Sequence, residues 1–433
     1  MKISVIGCGY LGAVHAAAMA DLGHEVVGVD VDPAKIAQLS SGVAPFFEPG
    51  LSDILASSLA TGRLRFTTDI AEVRGAAVHF VAVGTPQLGD SYAADLRYVD
   101  AAVAAVLPHL QPGDLVAGKS TVPVGTAARL ADLVEGAGGR LAWNPEFLRE
   151  GFAVKDTLSP DRLVYGVRPG DDTSVAALNE LYAATISRGT PVVVTDFATA
   201  ELVKVAANAF LATKISFINA MAEVAEATGA DVTQLADAIG YDARIGRRFL
   251  NAGLGFGGGC LPKDIRGFMA RAEELGVDQA LGFLREVDSI NLRRRERMVD
   301  LAREVLGGEL EGKRIAVLGL AFKPDSDDVR DSPALDVAAR LAELGAIVRA
   351  TDPEAIETSR RIRPTLDYVA SPEEAAEGAD AVLLLTEWAQ YRELDPVQLG
   401  SVVGTRAIVD GRNCLDPVAW RSAGWQYRAL GRP

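Results

Sequence analysis

The sequence predicts an α/β protein: two doubly wound parallel-sheet units joined by a central helical region. Three observations lead there. Short, continuously apolar runs alternate with helical stretches from Lys2 to Val167, the pattern of parallel strands covered by helices on both faces. From about Thr199 the period turns helical, with no Pro or Gly as far as Thr228. After Gly312 the alternation begins again.

In order, Lys2–Gly7 reads as a strand, Tyr10–Leu22 as a helix and Glu25–Asp30 as a second strand, with Val78–Val83, Leu115–Ala117 and Leu163–Val167 continuing the series. Helices are expected over Thr199–Thr228, Asp264–Leu275 and about Leu281–Val305. The charged run Arg293-Arg294-Arg295-Glu296-Arg297 in the last reads as a solvated or interface face. Arg314–Leu320, Ala346–Asp352, Ala381–Leu385 and Ala407–Asp410 supply the second set of strands, with a helix at Ala334–Leu344. The expected divisions are residues 1–198, 199–306 and 307–433.

Composition narrows the function. The chain has 433 residues, 49% of them hydrophobic, enough for two or three cores. A net charge of −15 argues against nucleic acid, which demands a basic surface. Cys8, Cys260 and Cys414 are odd in number and far apart, which suggests reduced thiols and a cytoplasmic protein. No Cys/His cluster has metal spacing, so no metal is expected. The chain opens on a strand, so no signal peptide is expected, and no apolar run looks long enough to span a membrane.

Gly7-Cys8-Gly9-Tyr10-Leu11-Gly12 follows a strand and opens a helix. Gly7 makes the tight turn, Gly9 admits a pyrophosphate and Gly12 packs helix on strand. Asp30 ends the next strand, 23 residues after Gly7, where a carboxylate bonds the ribose hydroxyls of NAD and repels the 2′-phosphate of NADP. Lys35 is the basic residue nearby and lies where it can run along the ribose. In the second unit Gly319-Leu320-Ala321-Phe322-Lys323-Pro324 holds one glycine instead of three, yet Asp352 ends the next strand as Asp30 does. This half reads either as a site for a different nucleotide, with Lys323 as its charge, or as a structural copy without a ligand.

Cys260 closes the run Gly255-Phe256-Gly257-Gly258-Gly259 and precedes Leu261-Pro262-Lys263-Asp264. Glycines permit close backbone approach, Pro262 suits the first turn of a helix, and a thiol at a helix N-terminus beside a lysine has a lowered pKa. That describes a nucleophile; the plain alternative is a small buried cysteine beside a glycine turn. Lys204 and Asn208, four apart on the expected central helix, share a face as a cation and an amide suited to an oxyanion, or else Lys204 simply reaches solvent. Asn144-Pro145-Glu146-Phe147-Leu148-Arg149-Glu150-Gly151 follows a strand, where α/β sites are built; Glu146 and Glu150 are base and binding candidates, or solvated loop acids.

These pieces, with Gly84-Thr85-Pro86, Ser120-Thr121-Val122-Pro123-Val124-Gly125-Thr126, Glu201 to Asn208, Ala321–Lys323, Arg330-Asp331-Ser332-Pro333 and Asp410-Gly411-Arg412-Asn413, resemble the UDP-glucose/GDP-mannose dehydrogenase family over nearly the whole chain. The resemblance implies two Rossmann-like domains and oxidation of a nucleotide sugar's C6 alcohol to a carboxylate in two NAD-dependent steps. It implies Cys260 as the nucleophile of a thiohemiacetal and then a thioester, and Lys204 and Asn208 as the oxyanion pair. Asp264, Glu146 and Thr121 would handle protons and the hydrolytic water. It places Gly7, Gly9, Tyr10, Leu11, Gly12, Asp30, Lys35, Thr85, Ser120, Thr121, Glu150, Lys263 and Arg330 at the cofactor. It places Glu146, Phe147, Leu148, Phe249, Asn251, Gly257, Lys323 and Arg412 at the sugar nucleotide, and has Arg244 reach a substrate across a homodimer built on the central helices. Leu261 after the cysteine is also found on the GDP-mannose side, whereas the Asp410–Asn413 run resembles the UDP-glucose side, which is the substrate expected. The alternatives are GDP-mannose or another nucleotide sugar, a two-electron hydroxyacid dehydrogenase, or a non-enzymatic NAD-sensing module.

Overall fold

A computed structural model describes residues 1–433 apart from Asp90. Two sheets organise the chain. The first runs β3-β2-β1-β4-β5-β6-β7-β8, from β1 (Lys2–Ile6), β2 (Glu25–Val29), β3 (Leu64–Thr67), β4 (Val78–Val81), β5 (Leu115–Gly118), β6 (Arg140–Trp143), β7 (Leu163–Gly166) and β8 (Val192–Thr195). The second runs β11-β10-β9-β12-β13-β14, from β9 (Arg314–Leu318), β10 (Ile347–Thr351), β11 (Asp367–Tyr368), β12 (Ala381–Leu384), β13 (Ala407–Asp410) and β14 (Gln426–Ala429). Both place the first strand of their unit inside the sheet, next to the second strand on one side and the fourth on the other. That reversal of strand order is where doubly wound sheets bind ligands.

Alternation along each strand explains the double winding. Ile3 and Val5 join one core with Phe80 and Leu115, while Ile6, Val81 and Val116 join another with Trp143. Successive side chains point to opposite faces, so a strand apolar throughout needs cover on both.

One expectation of parallel order fails. β7 pairs with β6 antiparallel, through Trp143 and Gly166, and β8 then runs parallel to β7. The connection holds only the six-residue helix Ala153–Leu158, which covers about 9 Å. β7 enters from the end where β6 left and so runs antiparallel to it.

Packing divides the chain into two compact units: residues 1–207 with 266–276, and residues 208–265 with 277–433. Two helices belong in part to each unit, Phe197–Thr228 and Leu261–Glu274. The second begins three residues before the expected Asp264, which puts Pro262 in its first turn as anticipated. A third long helix spans Phe283–Val305.

The expectation that no apolar run could span a membrane is corrected by Phe197–Thr228, whose 32 residues include a window of mean hydropathy 1.3. The helix is apolar because much of it is core: Ile218, Ala222 and Ala225 are buried against Val232 and Leu250, and Ser216 donates to the Val287 carbonyl.

Candidate active site

In the first unit the glycine loop has the shape its spacing requires. Gly7 has φ 90°, a left-handed conformation that favours glycine. A methyl group on Gly12 would collide with the Gly7 carbonyl, whereas one on Gly9 would meet nothing within 4 Å. Gly9 therefore fronts open space, with the helix Tyr10–Asp21 starting at the next residue, the arrangement that receives a pyrophosphate. Asp30 accepts from the Cys8 amide at 2.8 Å, the Asp32 amide at 3.0 Å and the Lys35 ammonium at 2.9 Å. Two amides and one ammonium leave acceptor capacity on this carboxylate for a ribose diol. The residues fit NAD.

The loops after β4 and β5 are tied together. Ser120 donates to the Val83 carbonyl and Thr85 to the Thr121 carbonyl. Glu201, buried on the long helix, accepts from the Gly125 and Ala127 amides at 2.7 and 2.6 Å and so caps the helix Thr126–Gly136. Burial raises its pKa, against the amides and Arg271 that lower it. Leu11 is half-buried at the edge of the core beside Tyr10.

Lys204 is buried, and its ammonium lies 2.9 Å from Glu146 Oε1, beneath the ring of Phe147. Glu146 Oε2 also accepts from the Leu148 amide at 2.5 Å. The lysine is thus neither a solvated cation nor an unpaired buried one. Glu150 is also buried, and its charge adds to the burial and the Glu48 contact that raise the Tyr10 hydroxyl. Glu48 was not legible as a functional residue. It accepts from Gly151 and Ala153 amides at 2.7 Å each and from the Tyr10 hydroxyl, and so pins the Glu146–Gly151 segment to the helix that follows the glycine loop. Its amide partners lie 103 and 105 residues along the chain and Tyr10 lies 38, which leaves no local signal.

In the second unit Cys260 is exposed and stands immediately before the helix Leu261–Glu274. Its carbonyl accepts from the Asp264 amide at 2.9 Å. The Asp264 carboxylate is buried; Asn208 Nδ2 donates to one oxygen and Lys263 Nζ to the other, each at 2.6 Å. Lys263, expected at the cofactor, is therefore brought to Asp264. Burial pushes the Cys8 and Cys414 thiols far up, out of the nucleophilic range.

The cysteine loop is held from the helix Phe283–Val305. Asn291 Oδ1 accepts from the Phe256 amide at 2.7 Å, and its Nδ2 donates to the Phe256 carbonyl at 2.9 Å. Arg412, expected as a sugar-nucleotide contact, donates to the carbonyls of Gly255, Phe322 and Leu385 and lies 3.2 Å from Glu387. It braces the loop with most of its fork. Gly257 packs against the Asp331 carbonyl so closely that a Cβ would not fit. Phe249 takes φ 67°, an outlier for a bulky residue that signals a constrained loop. Asn251 accepts from Arg247 at 2.7 Å, and Arg244 forks onto Asp242 while its side chain stays exposed. Lys323 lies 5.3 Å from the Phe322 ring centroid, and Arg330 forks onto Asp328. Among the described residues no group of three or more His, Cys, Asp or Glu is placed to hold a metal.

The Gly7–Gly12 cradle with Asp30 is the arrangement of an NAD-dependent oxidoreductase. The comparisons are more specific. Residues 1–186 match the NAD binding domain of the UDP-glucose/GDP-mannose dehydrogenase family, 198–293 its central domain and 316–417 its UDP binding domain. The chain belongs to that family. It is 43% identical, over all of both chains, to a UDP-glucose 6-dehydrogenase of Rhizobium meliloti (strain 1021). It is 42% identical to the UDP-glucose 6-dehydrogenase TuaD of Bacillus subtilis (strain 168), over all of this chain and 93% of that one. A UDP-glucose dehydrogenase structure from Pyrobaculum islandicum superposes with TM-score 0.90 at 40% identity, covering 100% of this chain and 98% of the other.

Proposed function

We propose that the chain oxidises UDP-glucose to UDP-glucuronate with two NAD per sugar, through a Cys260 thiohemiacetal and thioester. The observation that carries this reading is the exposed Cys260 thiol one helical turn before Asp264, whose carboxylate Asn208 and Lys263 clamp. NAD, held by the Gly7–Gly12 loop and Asp30, supplies a hydride acceptor on each of two occasions.

The chain's residues do the rest. Asp264 takes the proton of the C6 hydroxyl as the first hydride leaves. Cys260 Sγ then forms a bond to the C6 aldehyde carbon, and the aldehyde oxygen becomes an oxyanion, for which the Lys204 ammonium and the Asn208 amide are the stabilising groups. Loss of the second hydride from C6 leaves the thioester. Glu146, with Thr121, deprotonates water; the C–O bond forms, the C–S bond breaks and the thiolate returns. The sum is alcohol plus water to carboxylate, two hydrides and three protons. In this reading Thr85, Ser120, Glu150 and Arg330 flank the cofactor. Phe147, Leu148, Phe249, Asn251, Gly257 and Lys323 contact the sugar nucleotide, Arg412 acting through the loop it braces. Arg244, exposed and pointing outward, is the residue of a partner subunit that completes the site in a cytoplasmic homodimer.

The test is NADH formed per nucleotide sugar consumed, with UDP-glucose, GDP-mannose and an N-acetylated UDP-sugar offered separately. Two NADH with UDP-glucose alone is the expected result. Two with GDP-mannose would reassign the substrate, and one with every sugar would remove the thioester. Cys260→Ala should lower acid formation at least 1,000-fold, in line with the loss of a nucleophile.

A further inference from the structure

Lys119 is a buried lysine that the reaction just described does not use. It is the first residue after β5, and Asn144 the first after the neighbouring β6. Its ammonium donates to Asn144 Oδ1 at 3.0 Å, to the Asn144 carbonyl at 3.5 Å and to the Tyr182 hydroxyl at 3.4 Å. Tyr182 donates in turn to Asn144 Oδ1 at 2.8 Å. The faces of Phe80 and Tyr182 complete the enclosure, 5.5 and 5.9 Å from the ammonium. Lys119 therefore stands directly before Ser120-Thr121 in sequence and grips the residue two before Glu146, on the floor of a recess shared with Glu146. One side chain fixes two segments that the reaction requires.

We propose that Lys119 is a positioning residue for the hydrolytic step: its ammonium sets the Asn144-Pro145-Glu146 turn and adds positive charge beside the Glu146–Lys204 pair. The inference rests on Glu146 as that base.

The groups facing Lys119 support it. Burial pulls its ammonium down to about 8, Glu146 opposes that shift and Lys204 adds to it. His15, across the recess, is kept neutral by burial and by the Lys119 charge, and burial keeps Tyr182 a neutral hydroxyl. Asp156, Asp161 and Arg162 line the same recess, Asp156 being paired with Arg149. Lys119 is thus a group beside Glu146 whose charge changes in the mildly alkaline range, and hydrolysis should slow as pH rises through it.

The test is the full-length enzyme with UDP-glucose and NAD. Lys119→Met should lower kcat at least tenfold with KM within twofold, accumulate a Cys260-linked acyl adduct visible by mass spectrometry, and abolish the alkaline limb of kcat. Tyr182→Phe removes an acceptor of the ammonium, so the limb should move to lower pH while kcat at pH 7 stays within threefold. A Lys119→Met enzyme with wild-type kcat and alkaline limb overturns the proposal. If that variant does not fold, an unmoved limb in Tyr182→Phe overturns it. Absence of two NADH per sugar in the wild type would instead overturn the thioester reading beneath it.

Discussion

The two sheets place an aspartate at the same point, just past the second strand of each, and use it in opposite ways. Asp30 holds two amides and a lysine. Asp352 accepts from the Leu320 and Ala321 amides and the Trp388 indole on one oxygen, and from the Glu354 and Ala355 amides on the other. Five donors leave no lone pair for a ligand. The loops differ in the same sense. Gly7 and Gly319 share the left-handed turn, at φ 90° and 102°. The second glycine, however, is open at Gly9, while its counterpart Ala321 is buried and its carbonyl accepts from Thr386 at 2.6 Å. A repeated topology keeps its turn and its acid; whether the acid recognises a ligand or braces a loop depends on how many donors reach it.

The largest way to break this comparison is Asp352→Asn. An amide turns N–H groups toward backbone N–H groups, leaving about two of them unsatisfied at about 1–3 kcal/mol each. Urea unfolding should show a loss of about 3 kcal/mol or more. Asp30→Asn should cost about 1 kcal/mol in the same assay, given the partial exposure of its lysine partner, and instead raise KM for NAD at least tenfold. Equal stability losses would remove the distinction.

Next in size is the pair Gly12→Ala and Gly9→Ala. The first forces a methyl into the Gly7 carbonyl and should cost about 1–3 kcal/mol as well as NAD binding. The second enters open space, so the melting temperature should hold within about 1 °C while NAD affinity falls at least tenfold. A Gly9→Ala enzyme with unchanged affinity would mean that the pyrophosphate does not pass there. The smallest effect is Ala321→Gly. Restoring a glycine frees neither Asp352 nor the loop, so calorimetric titration should still find one NAD per chain; a second site would show that the glycine alone had been missing.

The first unit was legible because its signals are contiguous: strand, Gly7–Gly12, helix and Asp30 lie within the first 30 residues. Cys260, with its glycines and Pro262, was legible for the same reason. What stayed hidden is made of distant pairs. Asn291 meets Phe256 across 35 residues, and Lys119 meets Tyr182 across 63, so neither carries a pattern of its own. The edge strands β3, β8, β11 and β14 are two to four residues long, too short for a period to emerge. The antiparallel pairing of β6 and β7 rests on strands of four residues each, which carry no mark of direction.

The run Gly255–Gly259 invites description as a flexible segment, but its glycines serve another end. A Cβ at Gly255 would enter Asn291, at Gly257 the Asp331 carbonyl, at Gly258 the Phe322 ring and at Gly259 the Arg330 guanidinium. With the Phe256 amide and carbonyl both taken by Asn291, that residue is paired as it would be in a sheet, by a side chain acting as the missing strand. The glycines are mortises cut so that the rest of the fold can grip the backbone. A segment that looks like a tether is closer to a vice, and Cys260 stands at its jaw.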